Sequence, residues 1–365
     1  MKILLIVNNV FYEKNGSIFT FRAIGDFAVK LLELGNDIEM LQTKLVKDEQ
    51  FHDYNLNNTG IKTTALRRYK SKLYTYFIVY IVGLWRVLKN DYIYIYYPTN
   101  YHYLAFFAIL FRKKYGLNVR GEQGITNKLS KFLYKHAHVV FTVSPSFTNF
   151  VIASGGNGIT QRPGISFGYN DIVKTNQLNT KDFYNLLYLG RLDIEKGIIE
   201  LIEAINQVKE SKRYKFKLTI VGDGYHEELI YSKVAELKLD DVITFHGPEN
   251  NIDKIKEIYL SSDLFILPSY HEGFPRTIYE AMIFGVPVIT TFVGGISSRM
   301  IDNFNCLKIE TKSQSSIVEK ISYALQNYQE LTTIIKNSEI LIREILAPSK
   351  LTHAEEFNKV IKNEK

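Results

Sequence analysis

Residues 261–289, SSDLFILPSYHEGFPRTIYEAMIFGVPVI, constrain the fold more than any other stretch of the chain. Two short apolar runs, Leu264 to Leu267 and Val286 to Ile289, flank a segment in which Ile278, Ala281 and Met282 recur at helical spacing. Continuous apolar runs of this length read as strands buried on both faces, so the stretch predicts a strand, loop, helix, strand unit of a parallel sheet. Its loop falls at the carboxyl end of one strand and the amino end of a helix, where unpaired backbone N–H groups and the helix dipole attract an anion. Two carboxylates bracket that position, Glu272 on the loop and Glu280 on the helix. They repel an anion but accept from hydroxyls, so the ligand class that suits both features carries phosphates and many hydroxyls, as a nucleotide sugar does.

A chain of 365 residues has room for two domains, each with its own core, and 46% apolar with 23% charged residues excludes a disordered chain. The single cysteine, Cys306, excludes a disulfide framework and a cysteine zinc site and fits a reducing, cytoplasmic compartment. Met1 to Val7 is too short for an export signal and reads as the first buried strand. Charge is unevenly spread: residues 1–180 hold 22 Lys and Arg against 11 Asp and Glu, and residues 181–365 hold 23 against 27. A basic half meets nucleic acid or an anionic membrane, and with no nucleic-acid-binding signature present the expected partner is the membrane, with no nucleic acid.

Taken in order, Met1 to Val7 predicts a strand, residues 8–17 a polar loop holding Gly16, residues 19–34 a helix ended by Gly35, and Ile38 to Leu41 a second strand. This is the opening of a doubly wound sheet, without the G-x-G-x-x-G of a dinucleotide site. Residues 73–85 carry no charge and are flanked by Arg67, Arg68, Lys70, Lys72, Arg86 and Lys89. Thirteen residues reach about 20 Å as a helix, short of a bilayer's roughly 30 Å core. The run reads as a buried helix, as a face lying on an anionic leaflet, or as both on opposite sides; residues 103–111, followed by Arg112, Lys113 and Lys114, repeat the pattern. Asp91 to Tyr97 and Val139 to Val143 predict strands, the latter ending in a polar turn at Ser144 to Ser146, and residues 118–124 a strand end opening into a loop with Arg120 and Glu122. Residues 165–180 lack periodicity and read as an interdomain linker. The second half restarts the grammar: strands at 186–189, 216–221, 242–245, 264–267 and 286–289 each run into an informative loop, so two parallel sheets with ligand-binding carboxyl edges are expected to face one another across a cleft.

Gly190-Arg191-Leu192 with Lys196-Gly197, Val221-Gly222-Asp223-Gly224, Phe245-His246-Gly247 and PSYHEGFPRTIYEAMIFGVPVI together resemble a family-4 glycosyltransferase of the GT-B fold, strongly over residues 186–309 and in outline over the amino half. The resemblance implies an α/β architecture of two Rossmann-like domains, 1–170 for the acceptor and 171–347 for the nucleotide-sugar donor, with residues 348–365 a helix returning to the first. It implies Arg191 and Lys196 as ligands of the donor diphosphate, where a fixed cation stabilises the charge gained by a leaving nucleotide. It implies Glu280 as ribose ligand, Glu272 as the group facing the donor sugar and the charge developing at its anomeric carbon, Gly222, Gly247, Gly273 and Phe274 as backbone contacts, and Gly16 as part of a loop closing over the diphosphate.

Two positions depart from the pattern. Arg120-Gly121 stands where the family often has His-Gly; an arginine cannot serve as a base near neutral pH, which leaves Arg120 a phosphate or sugar contact and makes Glu122 the nearest acceptor-side carboxylate. Ser297-Ser298 replaces a common Pro-Glu. The implied activity is retaining, metal-independent transfer of a sugar, from a donor expected to be UDP-linked, to a lipid-linked or polysaccharide acceptor of the cell surface. The enzyme would be peripheral to the inner membrane face, with no cofactor besides its co-substrate, and no Asp-x-Asp triplet of the metal-dependent type occurs. A sugar epimerase, a phosphorylase and a donor-binding subunit without turnover are the competing readings.

Overall fold

The computed structural model describes residues 1–46, 54–122 and 124–363. Gln123 of the loop holding Arg120, and the last two positions of the expected terminal helix, fall outside them. The chain forms two units, Met1–Gly164 with Leu351–Lys365, and Ile165–Lys350.

The first unit runs β1 (Lys2–Ile6), β2 (Phe11–Lys14), β3 (Ser17–Thr20), α1 (Arg22–Glu33), β4 (Asp37–Val46), β5 (Tyr54–Asn55), β6 (Lys62–Arg67), α2 (Lys72–Lys89), β7 (Tyr92–Tyr97), α3 (Leu104–Leu110), β8 (Lys114–Val119), α4 (Lys128–His136), β9 (Val139–Thr142), α5 (Pro145–Ala153) and β10 (Gly158–Thr160). Its sheet has the order β10-β9-β8-β7-β1-β4-β2-β3-β5, with β6 also paired to β4. Every pairing along β10 to β4 is parallel. The central strand β7, YIYIYY, is buried at all six positions. Tyr92, Tyr94 and Tyr96 enter one apolar cluster, Ile93, Ile95 and Tyr97 the other, as period-two alternation requires of a strand covered on both faces.

Residues 8–17 correct the expected loop. β2 and β3 form an antiparallel hairpin closed by Asn15 (φ 50) and Gly16 (φ 74), the two left-handed residues that an Asn-Gly turn supplies. Ser144 is likewise no free turn: its hydroxyl accepts from Phe147 N–H and caps α5, whose first residue is Pro145. The charge-free run settles on both sides of α2: Thr75, Val79, Gly83 and Val87 are buried, while Leu73, Phe77, Ile81 and Trp85 are exposed. Among the described residues no helix is long and apolar enough to cross a membrane.

The second unit contains β11 (Tyr184–Leu189), α6 (Ile198–Glu210), β12 (Phe216–Val221), α7 (Glu227–Glu236), β13 (Ile243–Gly247), α8 (Ile252–Leu260), β14 (Leu264–Leu267), α9 (Arg276–Ile283), β15 (Val288–Thr291), β16 (Leu307–Ile309), α10 (Gln314–Gln326) and α11 (Leu331–Ile345). Its six strands are ordered β13-β12-β11-β14-β15-β16, all parallel. That is the 3-2-1-4-5-6 order of a doubly wound sheet, which reverses between β11 and β14. The stretch read as a linker belongs to this unit, because Phe167 and Ile172 are buried in its core, Phe167 edge-on to Phe284 at 4.7 Å.

The last helix, α12 (His353–Lys362), completes the first unit. Thr352 and Glu355 form a capping box at its start, and Ala354, Phe357 and Ile361 face the sheet. Phe357 is fully buried, its ring 4.4 Å from that of Tyr94 and 5.5 Å from that of Tyr92.

Candidate functional site

In an open parallel sheet the loops after the two strands flanking the reversal of order define the ligand crevice. In the second unit these are the loop after β11, residues 190–197, and the loop after β14, residues 268–275, and the two are knit together. Tyr270 N–H donates to Glu195 O at 2.9 Å, and Lys196 Nζ lies 2.5 Å from Glu272 Oε1. Gly197 sits at φ 68, where a Cβ would come 2.1 Å from Pro268 O, so only glycine lets the backbones meet and turns the chain into α6.

The loops after β12 and β13 join the same edge. Gly190 N–H donates to Val221 O at 3.0 Å, Leu192 N–H to Asp223 O at 2.7 Å, and Gly222 N–H to Gly247 O at 2.9 Å. Gly222, at φ 131, approaches so closely that a Cβ would stand 2.0 Å from Gly190 O. The loop after β15 closes the other side: Gly295 N–H donates to Gly273 O at 2.7 Å, and Ser298 Oγ donates to Gly295 O at 2.6 Å. Ser298 thus ties its own turn together.

Lys196 and Glu272 keep side-chain exposures of 16% and 11%, so their charges meet in a shielded setting. Arg191 is different: its guanidinium, 67% exposed, pairs with Asp193 at 2.7 Å, and Asp193 also lies 3.6 Å from His226 Nδ1. Tyr188 connects these groups. Its hydroxyl donates to Arg191 O at 2.7 Å, and burial, then the charges of Glu272 and Asp193, hold the phenol well above its usual pKa. Tyr188 thus touches the Arg191 backbone and feels the charge of Glu272, to which Lys196 is paired.

Glu280, in the second turn of α9, is held from behind by Tyr259, whose hydroxyl donates to Glu280 Oε2 at 3.1 Å and to Thr277 O at 3.2 Å. Burial raises the Glu280 carboxyl above its usual range, with Arg276 and the Tyr259 hydrogen bond opposing it. Phe274 is buried and stacked on Tyr279 at 4.3 Å, so its ring belongs to the core and its backbone alone faces the loop. Tyr188, Asp193 and Tyr259 escaped the sequence reading. Asp193, two residues from Arg191 in the same loop, carried a usable signal, whereas the two tyrosines join the site only through tertiary packing.

The remaining candidates lie in the first unit. Gly16 forms the β2–β3 turn, Arg120 follows β8 with its N–H donating to Tyr97 O at 3.4 Å, and Glu122 is exposed in the same turn. Arg120 also acts on the core beneath it: burial first and the Arg120 charge second push the His353 imidazole down to about 3. His353 Nε2 is 2.8 Å from the Tyr94 hydroxyl, and its ring stacks on Phe27 at 4.5 Å. Among the described residues no group of three or more His, Cys, Asp or Glu side chains is placed to hold a metal ion.

Comparison with known proteins shows what this edge is similar to. Residues 170–340 match the model of the glycosyl transferases group 1. A putative teichuronic acid biosynthesis glycosyltransferase of Bacillus subtilis is 38% identical over 136 residues, 37% of this chain and 31% of the relative. A lipopolysaccharide 1,2-N-acetylglucosaminetransferase of Salmonella typhimurium is 32% identical over 161 residues, 41% of each chain. The chain thus spans less than half the length of these curated relatives. Among solved structures, Anabaena HepE in complex with UDP and glucose superposes with a TM-score of 0.70 at 17% identity, over 100% of this chain and 98% of its own. The lipopolysaccharide outer core galactosyltransferase WaaB superposes at 0.68 with 15% identity, over 100% of both chains. Both share the fold, two Rossmann-like units of the GT-B class, and residues 170–340, just under half of the chain, are similar to the glycosyl transferases group 1 family.

Proposed function

We propose that the chain is a retaining, metal-independent family-4 glycosyltransferase that moves a sugar from a UDP-linked donor to a lipid-linked or polysaccharide acceptor in cell-surface glycan synthesis. The observation that carries this reading is the Lys196–Glu272 pair at the sheet's reversal point, within the segment that matches the family. Relatives named for teichuronic acid, lipopolysaccharide and colanic acid synthesis support the pathway class. A neighbour of the same fold holding UDP and glucose supports the donor class.

In the proposed reaction the bond between the anomeric carbon and the diphosphate oxygen breaks, its electron pair leaves with UDP, and the acceptor oxygen bonds to that carbon. Lys196 and Arg191 take the charge gained by the leaving diphosphate. Glu272 faces the sugar and offsets positive charge at the anomeric carbon. Glu280 accepts from the ribose hydroxyls, with Gly222, Gly247, Gly273 and the Phe274 backbone lining the approach. Gly16 and Arg120 are assigned to donor contacts from the first unit, and Glu122 to the acceptor side, where it takes the acceptor's proton.

The test is a panel of nucleotide sugars scored by thermal shift, followed by UDP release with and without a lipid-linked glycan acceptor, in the presence and absence of EDTA. Stabilisation by one UDP-sugar and acceptor-dependent release insensitive to EDTA are expected. Stabilisation without release would instead identify a donor-binding subunit, and release without acceptor an epimerase-like or hydrolytic enzyme.

A further inference from the structure

We propose that the cavity at the carboxyl edge of the first unit's sheet, between the segment leading into α2 and the loop after β7, binds a sugar that carries a carboxylate or a phosphate, as part of an acidic acceptor glycan. The binding stands by itself; only its use as acceptor rests on the transferase reading.

In the first unit the strand order reverses at β1, which has β4 on one side and β7 on the other. The crevice beyond the carboxyl ends of those strands is where an open parallel sheet holds a ligand. A cavity of about 390 Å³ opens there, within the roughly 300–1,000 Å³ of small-molecule sites. Asn100 and Tyr101 line it from the loop after β7, and Arg68, Lys70, Lys72 and Tyr76 from the start of α2.

Both walls are fixed by buried hydrogen bonds. Gln42 Nε2 donates to Val7 O, Thr43 Oγ1 donates to Gln42 Oε1 at 3.0 Å, and the Tyr101 hydroxyl lies 3.2 Å from Thr43 Oγ1, so side chains of β4 hold Tyr101 in place. The Tyr76 ring stands edge-on to that of Tyr101 at 6.1 Å. On the cationic side, Thr75 accepts from Tyr69 N–H at 2.9 Å and donates to Ser71 O at 3.0 Å, while the Ser71 hydroxyl caps α2. A site whose groups are held in this way loses little freedom when it binds.

The chemistry of the lining selects the ligand. Residues 67–72, RRYKSK, hold four cations and no carboxylate, and among the described residues no carboxylate pairs with Arg68, Lys70 or Lys72. Arg68 acts on the inner wall: burial raises the Tyr101 phenol, and the Thr43 hydrogen bond and the Arg68 charge oppose that rise. Arginine and lysine only donate, so three of them together call for a ligand that is negative and rich in acceptors. A bare phosphate would engage the cations and leave the Tyr76 ring and the Asn100 amide unused. An acidic sugar uses all of them, its ring against the tyrosine, its hydroxyls on the amide and its charge among the cations.

Isothermal titration of the full chain with a galacturonate trisaccharide and with mannotriose 6-phosphate tests this, each set beside its uncharged counterpart, the methyl ester or plain mannotriose. At least one charged sugar is expected to bind, which names the anion, with its counterpart about 100-fold weaker and the binding weakened by salt. R68A/K70A/K72A should weaken it about 100-fold, at roughly a factor of five per exposed cation. Lys72→Glu puts an acid in the first turn of α2, where the helix dipole favours it, so affinity should fall about tenfold with no loss of melting temperature. Both variants should keep the wild-type thermal shift with UDP. Wild-type protein that binds the charged sugar without responding to UDP would uphold the site and sink only the transferase reading. Equal affinity for charged and uncharged sugars, no binding of either charged sugar, or variants that bind like wild type would overturn the inference. Inorganic phosphate binding as tightly as the charged sugar would overturn it too, by making the cavity a simple anion site.

Discussion

Lys196 and Glu272 shield each other, and that shielding makes each depend on the other as well as on a ligand. Removing Lys196 leaves a mostly buried carboxylate without its cation, so Lys196→Ala should cost about 2 kcal/mol of stability, below the full figure for a wholly buried pair because some water reaches it. The same change should lower the transfer rate about 10²- to 10³-fold, as loss of one fixed donor to a developing charge does. Chemical denaturation and steady-state kinetics on one preparation check both. Glu280 behaves in the opposite sense. Its folded-state pKa is raised by burial, so the ionised form weakens the fold; the contribution is favourable below the carboxyl's ordinary range and is lost as pH rises through the raised value. Glu280→Gln should therefore melt no lower than wild type at pH 7, and higher if the penalty dominates, while the thermal shift produced by UDP falls. A Glu280→Gln protein that melts lower and still responds fully to UDP would make the residue structural. Both carboxylates were legible as candidates in the sequence because the surrounding string fixed them to a strand, loop, helix unit. What the string hid was their separate settings, a cation for Glu272 and a tyrosine hydroxyl for Glu280, since neither Lys196 nor Tyr259 lies in the same element.

At the scale of elements, the strands were the most readable because a strand covered on both faces must be apolar nearly throughout, as in β7 and β14, and in β1 and β11 apart from exposed Lys2 and Asn185. The β2–β3 hairpin was missed although Asn15-Gly16 stands between two alternating runs, because a polar loop after the first strand competes for the same residues. The start of α1 shifted from residue 19 to Arg22 for the same reason: Phe19 pairs with Tyr12 across the hairpin instead of beginning the helix. The docking of α12 rests on packing that no local pattern encodes, with His353 seated among Phe27, Tyr94 and Phe141. A pH dependence follows. The folded-state pKa of His353, down to about 3, lies below its unfolded value, so its contribution is present above about pH 6.5 and is lost as pH falls toward the folded value. Lowering the pH from 6.5 to 5 should remove about 1–2 kcal/mol of stability from this element, the lower figure allowing for partial access of water to the ring. His353→Gln should flatten that slope, measured as protection of the α12 amides against hydrogen exchange at the two pH values. An equal slope in the variant would place the titrating group elsewhere.

For the whole molecule, the separation of cores sets what a single core substitution can reach. The apolar clusters containing β1 and β7 lie in the first unit, and that containing β11 and β14 lies in the second. Phe357 belongs to the first by packing although it comes from the last helix, after the entire second unit in sequence. Burial at 0% exposure against Tyr92 and Tyr94 means that Phe357→Ala deletes a ring that rigid strand tyrosines cannot replace, a change worth about 3–5 kcal/mol. Because domains with their own cores open separately, the loss should be confined: amides of β1, β7 and α12 should exchange faster by about two to four orders of magnitude in the open-state limit, while those of β11 and β14 keep their rates. UDP added to the variant should still protect the loops after β11 and β14. Uniform loss of protection in both units would mean that they open together, and UDP protection appearing in β7 instead would move the nucleotide to the first unit and unseat the assignment of Lys196 and Glu272.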